Sequence, residues 1–465
     1  MVNVALPTLM KYFHSSLAVT EWVVLVYLLT ITMLLVFWGK LCRIWGCGKV
    51  YVRGMLLFAC GSLLCGLSWN VWSLILFRFC QALGASMMMA TGPALVKMVF
   101  PPDRIGRGLG LVGVATSLGL MTGPVISGLL LRWLEWRAIF WVTVPVGVFF
   151  FLQNRRVISS CGSPSGEMDR VSPLAAIPDL PGAVMWAGMV GLTILLATHA
   201  TSLCCGNGAL STALFFAGCA AVFAGWLFFA HHEVRATSPF LPVRLLRRRF
   251  FAMAILSSSL SFAVLFFVLI LMPFYLDRVL RLPPDRIGYV MMSVPMSVFI
   301  VSPAAGRLYD RFGARAVATA GLLCCFAGLA SLTGLTGDTS ALSIGGRLAL
   351  IGFGQAMFLS PNSASALGGV SDDLAGVTAS LLATARNFGM LIGTALAGLL
   401  FTLYFSAATG GLDLKEFVPA QTPAFLHALS RSFSWALFIA FCGIAASWMR
   451  GRPQEIPLPG KDLQE

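Results

Sequence analysis

Charge is scarce in this chain. Lysine and arginine number 32 and aspartate and glutamate 18, so charged residues make up only 11% of the 465. A soluble chain carries about 25%, and less than half of that cannot clothe a water-facing domain of this length. Acids are scarcest within the apolar runs: none of the 18 lies deep in one, and Glu21 comes nearest, at the outer end of its helix. Without paired carboxylates, and with no Ser/Lys or His pair in their place, the chain is not expected to be an enzyme. The 12 cysteines show no ligand spacing: Cys42 and Cys47 share a short loop, Cys204–Cys205 and Cys324–Cys325 are vicinal, and the rest sit in apolar runs. They read as small hydrophobes, so no metal, disulfide or cofactor is expected. His14, His199, His231, His232 and His427 fall at loops or run ends and read as solvated. No basic n-region and no small-residue cleavage site open the chain, so no cleavable leader is expected.

What is abundant is apolar. Hydrophobic residues reach 58%, with 47 glycines and 35 phenylalanines, and the mean hydropathy is +0.86. The bilayer must be the solvent. A hydrocarbon core of ~30 Å takes roughly 20 helical residues per crossing. On that basis apolar runs cover 21–41, 50–68, 71–99, 106–131, 137–153, 181–199, 208–230, 250–276, 287–306, 315–336, 342–369, 374–405 and 429–449, thirteen spans. The net charge of +14 is spread through short connections rather than gathered in a patch, which argues against a nucleic-acid partner. If the spans alternate, Lys40, Arg43, Lys49, Arg53, Arg104, Arg107, Arg155, Arg156, Arg170, Arg235, Arg244, Arg247, Arg248, Arg249, Arg307, Arg311, Arg315, Arg450, Arg452 and Lys461 share one side. That side is read as cytoplasmic and holds the C-terminus; the other carries fewer, such as Lys11, Arg278, Arg281 and Lys415.

The chain repeats itself. Gly39-Lys40-Leu41 followed by Gly46 recurs as Gly306-Arg307-Leu308 followed by Gly313 (306 − 39 = 267). Arg78 recurs as Arg347 (347 − 78 = 269), and Gly119, Gly123 and Gly128 recur as Gly389, Gly393 and Gly398 (389 − 119 = 270). Pro7 recurs as Pro273 (273 − 7 = 266). Four matches near one offset make a duplicated module, and parallel repeats with a site between them are a transporter architecture. The second copy opens near Phe250; its counterpart falls at 250 − 267 = −17, so residues 1–13 read as the tail of a first helix whose body is absent. The expected fold is an all-α polytopic membrane protein of two pseudo-repeated six-helix bundles. The units are 1–153 (first helix truncated), a connection with a two-helix linker at 154–249, 250–449, and a tail at 450–465. Ser, Pro and Gly enrich 153–180, which reads as a flexible connection.

Several residues stand out physically. Arg78 lies inside an apolar run, where a central arginine costs ~2.5–3.5 kcal/mol and usually faces the bundle interior. Gln81, three residues on, shares its helical face and can share its partner. Gly119, Gly123 and Gly128 strip side chains from one face, and Pro124 removes a backbone donor, which permits close contact and a bend. Asp310 and Arg311, in a basic-side loop, can latch one packing of the two halves or simply be solvated. Arg386 and Asn387 either line a cavity or hydrogen-bond the helix backbone.

These residues together resemble the major facilitator superfamily, in particular its fourteen-helix drug:proton antiporter branch, over almost the whole chain. Val2-Asn3-Val4-Ala5-Leu6-Pro7 resembles the end of that branch's first-helix motif, and Glu21-Trp22 with Tyr27-Leu28 the start of its second. The loop motif Gly-x-Leu-x-Asp-Arg-x-Gly is intact at Gly306–Gly313, with Asp310 and Arg311. It is degenerate at Gly39–Lys49, where Arg43 stands at the aspartate position. Arg78, Gln81 and Gly84 match the fourth-helix pattern, Gly119 to Gly128 the fifth-helix exporter pattern, and Trp136 to Phe140 with Pro145 and Gly147 the start of the sixth. The resemblance implies proton coupling through Arg78 and gating between halves by the fifth-helix glycines. It also implies a first-helix aspartate, which would lie upstream of Met1. It implies small-molecule and proton partners in an inner cell membrane, with accessory efflux proteins as further partners. The expected function is proton-coupled efflux of lipophilic compounds by alternating access. Phe and Met (35 and 20) supply an adaptable apolar pocket, and the lack of buried carboxylates argues against a strictly cationic substrate range. The alternatives are a specific metabolite permease of the same fold and a truncated, non-functional remnant.

Overall fold

The computed structural model describes residues 1–99, 105–160, 179–204, 209–236, 240–241, 246, 248–368 and 372–451. Most of the connection at 153–180, the tail beyond 451, and Arg104, Arg170, Arg244, Arg247, Arg452 and Lys461 lie outside them. The described chain is helical, with no strand among the described residues. In order the helices are α1 (Val2–Phe13), α2 (Leu17–Trp45), α3 (Cys47–Gly66), α4 (Val71–Val99), α5 (Ile105–Trp133), α6 (Ala138–Trp141) and α7 (Thr143–Ser160). They continue as α8 (Leu180–Cys204), α9 (Ala209–Arg235), α10 (Arg249–Arg278), α11 (Pro284–Thr333), α12 (Ala341–Gly368), α13 (Asp372–Thr409) and α14 (Thr422–Trp448). Among the described residues eleven are long and apolar enough to cross a membrane. One of these, α11, is two spans joined across a kink at Gly313. The run expected at 137–153 is split into α6 and α7 by a break at Val142. Each of the thirteen runs therefore meets a helix, and α1 adds a twelve-residue helix.

Close crossings of α3 on α4 and of the second part of α11 on α12 show the repeat in three dimensions. A β-carbon added at Gly54 would stand 2.9 Å from the Gly84 carbonyl oxygen; one added at Gly321 would stand 2.6 Å from that of Gly354. One at Gly61 would press on Gln81, and one at Gly328 on Ile351. Small residues let backbones approach this closely, and in lipid such packing, not hydrophobic expulsion, holds helices together. The backbone turns repeat as well. Gly46 and Gly313 have φ of +84° and +78°, a region that favours glycine, and His14 and Arg281 have φ of 49° and 50° (281 − 14 = 267). The degenerate loop at Gly39–Lys49 thus keeps the turn of the intact one while losing its acid.

The crossings also correct the pairing of Arg78 with Arg347. Gly84 and Gly354 fix an offset of 270 across α4 and α12, which sets Arg78 opposite Leu348 (78 + 270 = 348). Leu348 is fully buried, whereas Arg347 points about 100° away and donates to the Ser331 carbonyl at 2.7 Å. A shift of one residue rotates a helical side chain off its face, so at this position the buried cation belongs to the first copy alone.

Candidate functional site

Arg78 sits seven residues into α4 with 6% of its surface exposed. Its Nε donates to the Val23 carbonyl of α2 at 3.0 Å and its Nη1 to Gln81 Oε1 at 2.5 Å. Gln81 Nε2 in turn donates to Ser62 Oγ of α3 at 2.6 Å. The guanidinium lies over the Tyr27 ring, 4.1 Å from its centroid. The charge is therefore held by neutral acceptors and a π face, and it ties α2, α3 and α4 together.

The two copies meet at the face away from the basic loops. There Lys11 of α1 pairs with Asp277 of α10 at 2.8 Å, and Arg132 of α5 pairs with Asp285 of α11. At the same level α5 crosses α11 through glycines. A β-carbon at Gly128 would stand 2.5 Å from the Pro284 carbonyl oxygen, and one at Gly288 would stand 2.5 Å from that of Pro124. The pseudo-symmetric crossing joins α2 to α13, where Gly398 packs against the Glu21 carboxylate. Glu21 takes the place of Gly288 in that arrangement (21 + 267 = 288), and its Oε1 is buried without a hydrogen-bond partner.

Glu21 corrects the expectation that buried carboxylates are absent. It is 3% exposed, and Glu233 (1%) and Asp285 (7%) are buried too. Hydropathy places all three near helix ends; burial comes from the helices that cross them. His232, expected in solvent, is half-buried and pairs with Asp179 at 3.2 Å, beside Glu233, which accepts from the Leu241 backbone N–H at 3.0 Å. These contacts brace the base of the linker pair. Higher up, Trp186 of α8 donates to the Thr32 carbonyl of α2 at 3.1 Å and packs on Phe388 of α13. The two linker helices therefore lie across the α2–α13 crossing.

The two glycine sets differ in their surroundings. Gly389 and Gly393 of α13 press on the Ser259 and Ala263 carbonyls of α10. Among the described residues Gly119 has nothing within 4 Å, and Gly123 has only Met1 nearby, at 3.6 Å. Between 111 and 120 no described side chain of α5 is buried. Toward the basic loops the helices thus part. Gly39, Gly306 and Gly313 have open space around them, and Asp310 and Arg311 are exposed, with Arg311 stacked on its neighbour Phe312. Among the described residues the loop motif latches nothing in this arrangement. Asn387 donates to the Ala383 carbonyl of its own helix at 3.0 Å, the backbone alternative. Arg386 is partly buried and its Nη2 donates to Ser363 Oγ of α12 at 3.2 Å.

Known proteins agree with this architecture. The description of the Major Facilitator Superfamily matches residues 1–394. The riboflavin transporter RibZ of Clostridioides difficile (strain 630) is 30% identical over 443 residues, 95% of this chain and 91% of the relative. The multidrug resistance protein Stp of Mycobacterium tuberculosis (strain ATCC 25618 / H37Rv) is 31% identical over 408 residues, 87% of this chain and 73% of that one. Among solved structures, the peptide transporter POT in complex with sulfate superposes with a TM-score of 0.67 at 16% identity, covering 98% of this chain and 92% of that chain, a likeness of fold. The chain belongs to the major facilitator superfamily of membrane transporters.

Proposed function

We propose that the chain is a proton-coupled exporter of lipophilic, drug-like compounds that works by alternating access. The observation that carries this reading is the one-sided closure. The halves meet through two ion pairs and two glycine crossings at one face and part at the other. We read the parted face, which carries the basic loops, as cytoplasmic, and on that reading this is the inward-open state of a carrier in the inner cell membrane. Residues 1–153 and 250–449 rock as bodies about the α5–α11 and α2–α13 crossings, with 154–249 as the connecting unit. Arg78, held by neutral groups of α2 and α4, is the residue through which protonation is linked to the packing of α2 on α4. The intact loop at Asp310 and Arg311 engages when the basic face closes; the first copy, with Arg43 in place of the acid, lacks that latch. Accessory efflux proteins would extend the pathway beyond the bilayer.

A second reading, a permease for one metabolite, is favoured by the relative whose name gives riboflavin as its cargo. Dye efflux from cells expressing the chain, with and without an uncoupler, separates the two. Gradient-dependent efflux of several unrelated dyes supports the exporter. Movement of one compound only, or of none, overturns it.

A further inference from the structure

We infer that Arg386 is the anchor for an anionic group, a carboxylate, sulfonate or phosphate, on the lipophilic compounds this carrier takes. The inference rests on the transporter reading above and names its substrate class. Arg386 lies in α13, eight residues after the start of the apolar span Thr378–Thr409. It projects between α10 and α12, one turn before Gly389 seats α13 on α10.

What distinguishes Arg386 from Arg78 is an unmet need. Arg78 spends its donors on Val23 and Gln81 and covers its charge with Tyr27. Arg386 has one hydrogen bond in the structure, to a neutral hydroxyl, and its Nε is buried with no partner. Among the described residues no acid is paired with it. Neither α12 nor α14 contains aspartate or glutamate. On α10 the sole acid is Asp277, held at the far end by Lys11 and Arg278. On its own helix Asp373 is 386 − 373 = 13 residues back, about 20 Å along the axis.

Nearby, the Ser258 hydroxyl of α10, beside the carbonyl that Gly389 touches, is also buried without a partner. An uncompensated charge in low dielectric is costly. A planar fork with donors to spare is matched by an oxyanion that accepts two parallel hydrogen bonds. With no acid paired to it among the described residues, that role is left to a ligand.

The test uses purified full-length chain in phosphatidylcholine nanodiscs, with dansyl-labelled undecanoic acid and its methyl ester as probes that differ only in charge. Wild type should bind the acid on the order of tenfold to a hundredfold tighter than the ester, the worth of one charge-assisted hydrogen bond. Arg386→Gln should abolish that difference and leave ester binding unchanged. Arg386→Lys, which keeps the charge without the fork, should fall between. Without probe, Arg386→Gln should melt at or above the wild-type temperature, because it removes a charge that nothing compensates. Equal binding of acid and ester by wild type, or equal loss of both in Arg386→Gln with a lowered melting temperature, would overturn the assignment. Loss of acid binding on adding phosphatidylglycerol would overturn it in favour of a lipid headgroup as the occupant. Acid preference without gradient-driven efflux would refute the exporter and leave Arg386 assigned; efflux without acid preference would do the reverse.

Discussion

Gly128→Ala is a small change with a large expected effect. The added carbon would stand 2.5 Å from the Pro284 carbonyl oxygen and 3.0 Å from the Asp285 Cα. Both are main-chain atoms at the start of α11 and cannot rotate away. A carbon and a carbonyl oxygen rest about 3.3 Å apart or more, so the α5–α11 crossing must open by roughly 1 Å. Overpacking of this kind costs ~1–3 kcal/mol. The strain exists only while this face is closed, since in the opposite state the crossing separates. All of it therefore falls on one side of the equilibrium and shifts the ratio of the two states by roughly 5- to 150-fold toward the form open at this face. The assay is the labelling rate of a cysteine introduced at Leu131, at this crossing, by a membrane-impermeant maleimide added to the face opposite the basic loops. Gly119→Ala is the control, because nothing lies within 4 Å of that position. Gly128→Ala should label faster in proportion to the shift, and Gly119→Ala at the parental rate. If both label alike, the crossing is not a closed gate and the reasoning fails.

Three further outcomes are expected. Gly54→Ala and Gly321→Ala, with Gly84 and Gly354 carbonyls in the way, should each destabilise the chain by ~1–3 kcal/mol. Matched losses of melting temperature check the repeat, and an effect in one copy alone would break it. Gly46→Ala and Gly313→Ala, both at positive φ, should each cost about 1–3 kcal/mol, readable as lowered melting temperatures; a neutral result at Gly46 would mean the degenerate loop has lost its turn. Arg78→Lys cannot reach Val23 and Gln81 together, so uncoupler-sensitive efflux should fall by about tenfold or more, while downhill exchange of substrate continues. Wild-type coupling in Arg78→Lys would remove Arg78 from the coupling path.

Much of this was legible in the sequence because lipid leaves few choices. Every backbone polar group must be satisfied within its own segment, so apolar run length alone located the helices, and shared offsets exposed the duplication. The buried state of Arg78 followed from its apolar setting and its shared face with Gln81 from a spacing of three, but that Gln81 is itself the acceptor, rather than sharing a partner with Arg78, needed the structure. Register was harder. Arg78 and Arg347 share a letter, but helix faces repeat by position, and only the glycine crossings showed that Leu348 is the counterpart. Glu21 illustrates another limit. It sits in the second turn of α2, where hydropathy places solvent, and its burial comes from Gly398, 377 residues away (398 − 21 = 377). The same holds for His232, whose partner Asp179 lies across the linker pair. Contacts made between helices distant in sequence leave no periodic trace in either one. The unmet hydrogen bonds of Arg386 were likewise invisible until its neighbours on α10 and α12 could be identified.

The central claim is that two repeated bundles exchange closure of one face for closure of the other. Paired spin labels in nanodiscs test it directly, one pair at Leu134, just after α5, and Tyr289 of α11 on the closed face and one at Leu111 of α5 and Leu308 of α11 near the basic loops, all exposed positions. Substrate and a change of pH should lengthen the first distance as they shorten the second. Distances that stay fixed, or that move in the same sense, would contradict alternating access.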